Sequence, residues 1–171
     1  QQHLSLQFAD HSIRREYMAV CWGSIKPASG KISSLISRSN KNRTKMMSSK
    51  IKGKEAITNY KTIENLKNSK GNTIACVIEC KLHTGRTHQI RVHMKHKGNN
   101  ILGDKKYEKK FKKFRNIDND LEKLILKLDR QFLHAKTLGF THPINKKKIE
   151  FSSFLPQELE NILKMLRKLN K

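Results

Sequence analysis

Acidic residues are scarce in this chain of 171 residues: 14 Asp and Glu face 37 Lys and Arg, a formal charge of +23. Such a balance attracts a polyanion, and nucleic acid is the commonest one available to a soluble protein. Cysteine is also sparse. Cys21, Cys76 and Cys80 make an odd set that argues against a disulfide framework and for a reducing compartment. Trp22 is the only tryptophan. No run approaches the roughly 20 apolar residues of a membrane span, and no signal peptide opens the sequence. A cytoplasmic protein with no membrane association is therefore expected. With 36% apolar residues the chain has material for a core under a wet surface, and its length suits one domain or a large part of one.

The pattern along the chain is mixed. Leu4, Leu6 and Phe8 suggest the last turns of a helix, and residues 15–23 (REYMAVCWG) alternate as a strand does. Residues 38–54 carry seven basic residues and no acidic one against a Ser/Asn background, the mark of a loop or frayed hairpin. Such a segment is either a solvated connector or a phosphate-contacting arm. A strand is expected at residues 53–66. The clearest strand is residues 72–82, where Ile74, Cys76, Ile78, Cys80 and Leu82 share one face, making Cys76 and Cys80 small core residues. Residues 87–98 suggest a short helix with Thr87 as a possible cap and Gly98 past its end. Leu121, Leu124, Ile125 and Leu128 mark an amphipathic helix. Two strand-like pieces follow, at residues 133–143 and 147–156. A last helix, opened by Pro156, has Leu159, Ile162, Leu163, Leu166 and Leu169 as its buried stripe. Strands and helices without regular alternation indicate an α+β protein.

Residues 82–107 (LHTGRTHQIRVHMKHKGNNILGDKKY) closely resemble the third motif of the RluA-type RNA pseudouridine synthases. Residues 15–23 resemble the second motif, built around a Tyr two residues before an Ala. Residues 53–60, 130–143 and 151–156 match later strands of that family in order. The resemblance runs from about Leu4 to the end. It implies the pseudouridine synthase fold, a largely antiparallel mixed sheet flanked by helices and loops, with residues 1–171 forming the C-terminal portion of one catalytic domain and the fold incomplete at its N-terminus. The family's first motif, an Arg-Leu-Asp followed by Thr-Ser-Gly, carries the nucleophilic Asp and is absent. It is expected upstream of Gln1, together with any RNA-binding S4 domain. Asp129 sits in a superficially similar Leu-Asp-Arg, but no Thr-Ser-Gly follows it.

The reaction that the resemblance implies breaks the N-glycosidic bond of a uridine, rotates the base and rejoins it through C5, without cofactor or metal. A carboxylate in a crowded pocket needs a fixed cation to stay ionised and oriented. Arg91 is favoured as that cation, with Arg86 as the other candidate, placed at the turn and suited to phosphate or backbone. Tyr17 matches the tyrosine that packs on the target base, since its ring gives a flat apolar face and its hydroxyl a handle for proton transfer. Leu133, or alternatively Leu138, lines the pocket, and His88 orients the motif.

His88, His93 and His96 lack the paired spacing of structural zinc, so no metal is expected. Arg38, Lys41, Arg43 and Lys45 of the first basic stretch, with Lys105 and Lys106 of a second between residues 86 and 115, are candidate RNA contacts. The expected substrate is structured RNA, 23S ribosomal RNA in particular. The rival reading is a non-catalytic basic RNA-binding module.

Overall fold

The computed structural model describes residues 2–9, 13–108 and 117–171. Helix α1 (Gln2–Ala9) precedes β1 (Arg14–Trp22), β2 (Ser29–Arg38), β3 (Met46–Ser49), β4 (Lys54–Lys67) and β5 (Thr73–Leu82). Then come α2 (Gln89–His96), α3 (Asn119–Lys127), β6 (Leu133–Thr141), β7 (Lys148–Ser152) and α4 (Gln157–Arg167). The seven strands form one sheet in the order β3-β2-β4-β5-β1-β6-β7, and every neighbouring pair is antiparallel.

Central strands are covered on both faces. In β5 the run Ala75, Cys76, Val77, Ile78 is buried without alternation, as is Ala19, Val20, Cys21 in its partner β1. Strand alternation sends successive side chains to opposite faces, so consecutive burial means that material packs on each side. Ile90 and Met94 of α2, Leu121 and Ile125 of α3, and the expected stripe Leu159, Ile162, Leu163 and Leu166 of α4 join that core. Leu169 packs against it while partly buried.

Helix ends follow local chemistry, with one departure from the sequence expectation. The Asp118 carboxylate caps α3 by accepting from Leu121 N at 2.7 Å. Gly98, at φ 79°, closes α2 in a Schellman turn: its N–H reaches Lys95 O and Asn99 N–H reaches Met94 O. The N-terminal cap of α2 is not Thr87 but His88, in the left-handed conformation (φ 54°, ψ 24°) and without a side-chain capping bond.

The basic stretch is the hairpin alternative in part: β3 pairs with the end of β2, leaving residues 39–45 as its loop. Strand β2 itself had no counterpart in the sequence reading. Residues 109–116, including Arg115, lie outside the described residues, as does the side chain of Phe8.

Candidate active site

The turn leading into α2 is built around a buried amide. Gln89 Oε1 accepts from Arg86 N (3.0 Å) and from Thr84 Oγ1 (2.8 Å), and Nε2 donates to Ile57 O (3.0 Å) and Thr58 Oγ1 (2.9 Å). Thr84 in turn accepts from Ile57 N. Residues 84–89 are thereby fastened to β4, and Arg86 is delivered from a fixed backbone. The Arg86 guanidinium is steadied as well, since its Nε donates to Glu55 O at 2.8 Å. Sequence reasoning passed over Gln89, although it lies inside the motif already singled out.

Beside this turn opens a cleft of about 390 Å³ lined by Arg15, Tyr17, Gly85, Arg86, Thr137 and Leu138, with Leu82 and Ala135 completing the wall. Tyr17 arrives on β1 at a register shift between Glu16 and Tyr17, where β1 pairs with β6. Such a bulge re-aims a side chain relative to the regular pleat. A β-carbon at Gly85 would meet the Arg15 guanidinium, the far end of a flexible side chain, which would have to shift to make room. Burial lowers the pKa of Arg15, and the neighbouring Arg86 charge adds to that effect. No Asp or Glu lines the cleft among the described residues. The walls therefore offer an aromatic face, two guanidinium groups and apolar surface, a combination suited to a planar base carrying an anionic backbone.

Arg91 lies elsewhere. Its fork is spent on Asp104, Nε to Oδ2 at 2.9 Å and Nη2 to Oδ1 at 2.8 Å, and the carboxylate is only 1% exposed. The bond to Asp104 raises the Arg91 pKa further, against the opposing effect of burial. Its guanidinium carbon stands 5.0 Å from the centre of the Tyr107 ring. Of the two arginines weighed from sequence, Arg86 shares the cleft with Tyr17 and Arg91 does not line it. Leu138 is likewise a cleft residue, whereas Leu133 packs against the main core.

His88 turns away from the cleft lining toward Tyr107, with Nδ1 2.7 Å from the phenolic oxygen. Burial, and the charges of Arg91 and Lys106, hold its pKa below the ordinary histidine value. His93 is fully buried with both ring nitrogens engaged, Nδ1 with Thr58 Oγ1 (2.7 Å) and Nε2 with Ser34 Oγ (2.9 Å).

The candidate RNA contacts lie around the hairpin loop, apart from Lys105, whose Nζ donates to Leu126 O near the end of α3. Lys106 Nζ donates to Thr44 O in the hairpin loop, and Arg38 donates to Arg43 O across its base. Lys41, Arg43 and Lys105 are exposed, and Lys45 is half-buried.

Residues 1–96 match the family model described as RNA pseudouridylate synthase. This chain belongs to that family. Among curated relatives of the RNA pseudouridylate synthases, the ribosomal large subunit pseudouridine synthase D of Zymomonas mobilis is 42% identical over 164 residues, covering 95% of this chain and 48% of that protein. An uncharacterized RNA pseudouridine synthase of Chlorobaculum parvum is 38% identical over 170 residues, covering 96% of this chain and 50% of that protein. The chain thus spans about half the length of the curated relatives it matches. The solved structure of human RNA Pseudouridylate Synthase Domain Containing 4 superposes with a TM-score of 0.69 at 20% identity, over 97% of this chain and 67% of that one, which shows a shared fold.

Proposed function

We propose that this chain supplies most of the base-binding cleft of an RNA pseudouridine synthase that isomerises uridine in 23S ribosomal RNA. The carrying observation is the pairing of Tyr17 and Arg86 on one cleft, in a chain of this family, with no carboxylate on the described walls. The target uridine enters extruded from its stack, as chemistry on a base requires. Its ring lies on Tyr17, whose hydroxyl is the handle for the C5 proton. Arg86, rather than Arg91, is the cation that keeps the nucleophilic carboxylate ionised and oriented, and that carboxylate comes from a segment outside these 171 residues. Leu138 is the apolar wall. Arg38, Lys41, Arg43, Lys45, Lys105 and Lys106 hold phosphates and set position rather than sequence preference.

The test is pseudouridine formation on 23S RNA by the full-length product of the gene and by residues 1–171 alone. The full-length protein is expected to convert uridine and the shorter chain to convert none. Arg86→Lys in the full-length protein should lower turnover by about 100-fold with RNA affinity nearly retained, because lysine lacks the planar fork. RNA binding without conversion by the full-length protein would instead support the non-catalytic basic module.

A further inference from the structure

We infer that Tyr107 and His88 act together as positioning residues for Arg86, tying the basic hairpin to the cleft. The inference rests on the functional reading above. Three segments meet at one phenolic oxygen. Tyr107, 2% exposed, accepts the backbone N–H of Met46, the first residue of β3, at 2.9 Å, and its own hydrogen is then available to His88 Nδ1 at 2.7 Å. His88 stands two residues after Arg86 and holds φ 54°, a conformation that a residue with a β-carbon adopts only when its surroundings impose it. This left-handed step separates the turn carrying Arg86 from the first turn of α2, whose Val92 N–H already bonds to His88 O.

Tyr107 is itself braced from below. Asp104 Oδ1 receives the Tyr107 N–H at 3.4 Å as well as Arg91 Nη2, and the Arg91 guanidinium lies over the phenol ring. The preceding residue, Lys106, reaches Thr44 O in the hairpin loop. A chain of contacts therefore runs from the hairpin cations through Tyr107 and His88 to the backbone at Arg86. Neither Tyr107 nor His88 lines the cleft, so neither is assigned contact with the reacting base. Phosphate contacts on the hairpin loop would reinforce the hold that Gln89 and Glu55 already have on the arginine, joining RNA docking to alignment of the catalytic cation.

The experiment uses the full-length protein with Tyr107→Phe, His88→Gly and the double variant. Phenylalanine preserves the ring beneath Arg91 while removing the oxygen that meets both Met46 N–H and His88, and glycine removes the imidazole while preserving the left-handed step, so the backbone is kept permissible in each. Each single variant is expected to lose about tenfold or more in kcat, since small misplacement of a catalytic group is costly. RNA Kd should change by less than about twofold, and the double variant should be no slower than the worse single one. Wild-type kcat in Tyr107→Phe overturns the inference, as does a loss of kcat matched by an equal loss of RNA affinity. Losses that multiply in the double variant also overturn it. Absence of conversion by the wild-type protein overturns the functional reading and this inference with it, whereas an active wild type with unaffected variants overturns the inference alone.

Discussion

The two ends of the sheet differ in what holds them. At the β2–β3 end a chain of polar groups runs through the packing: Ser48 donates to Ser34, Ser34 meets His93, His93 meets Thr58, and Thr58 accepts from Gln89. At the β6–β7 end the two strands pair over five residues, and the tilted rings of Phe140 and Phe151 lie 6.1 Å apart. Phe151 remains 58% exposed, Phe154 98% and Ile144 85%. A buried hydrogen-bond network fixes geometry because each unsatisfied member is costly, whereas exposed apolar contacts tolerate displacement. The rigid end is the one that carries the turn to Arg86. The turn to Arg86 is aimed by a connected polar network, with the apolar cluster of Ile36, Ala56, Val92 and Tyr107 packed beside it.

Breaking the rigid end at its ion pair should have the largest effect on stability. Asp104→Ala leaves the Arg91 fork, only 13% exposed, without its carboxylate. A loss of about 3–5 kcal/mol is expected, read as a reduced midpoint in urea. A loss below about 1 kcal/mol would show that the turn relaxes freely and that this end is less determined than its geometry implies.

A second, smaller effect follows from His93. Burial pushes its pKa down to about 4, well below the ordinary 6.5. The folded state therefore holds His93 neutral, while the unfolded chain takes up a proton as pH falls through 6.5. Its stabilising contribution is present above that value and is lost progressively between pH 6.5 and about 4. The loss is on the order of 3 kcal/mol at most for this group. His93→Gln should flatten this part of the stability–pH curve, and an unchanged slope would reassign it to other groups.

The smallest effect belongs to the opposite end. Phe154→Ser removes an almost fully exposed ring and should shift stability by no more than about 0.5 kcal/mol. A clearly larger shift in thermal or urea unfolding would mean that this end is ordered by contacts as specific as those around Gln89.

Much of the architecture was legible because its signals are local. The stripe on α4, the amphipathic spacing of α3 and the glycine that ends α2 each depend on residues a few positions apart. Strand β2 was not legible: Ser29, Ser33, Ser34 and Ser37 leave Ile32, Leu35 and Ile36 too few to show a period, and pairing with β4 makes the strand. The uninterrupted burial of Ala75 to Ile78 likewise reflects layers brought by distant helices.

Within the site, the residue types were readable and their directions were not. Tyr17 and Arg86 were both named from sequence. That Arg86 rather than Arg91 lines the cleft beside Tyr17 turns on a carboxylate thirteen residues beyond Arg91 and on a left-handed step at His88. Neither leaves a mark in local periodicity. Thr87 resembles a cap by composition, yet the bonds of Gln89 and His88 place the start of the helix one residue later.

The burial of the three cysteines has a practical consequence. Cys21, Cys76 and Cys80 are free but fully buried, and burial raises the thiol of Cys76 to about 11 and that of Cys80 to about 12, with Cys21 raised as well. Since the thiolate is the species that alkylates, the three native thiols are expected to react only slowly with maleimides near neutral pH, which a timed labelling of the folded protein would check. A single cysteine introduced on the exposed hairpin loop would therefore be the fast-reacting handle of these 171 residues. A fluorophore attached there would report hairpin motion on RNA addition without any need to remove the native thiols.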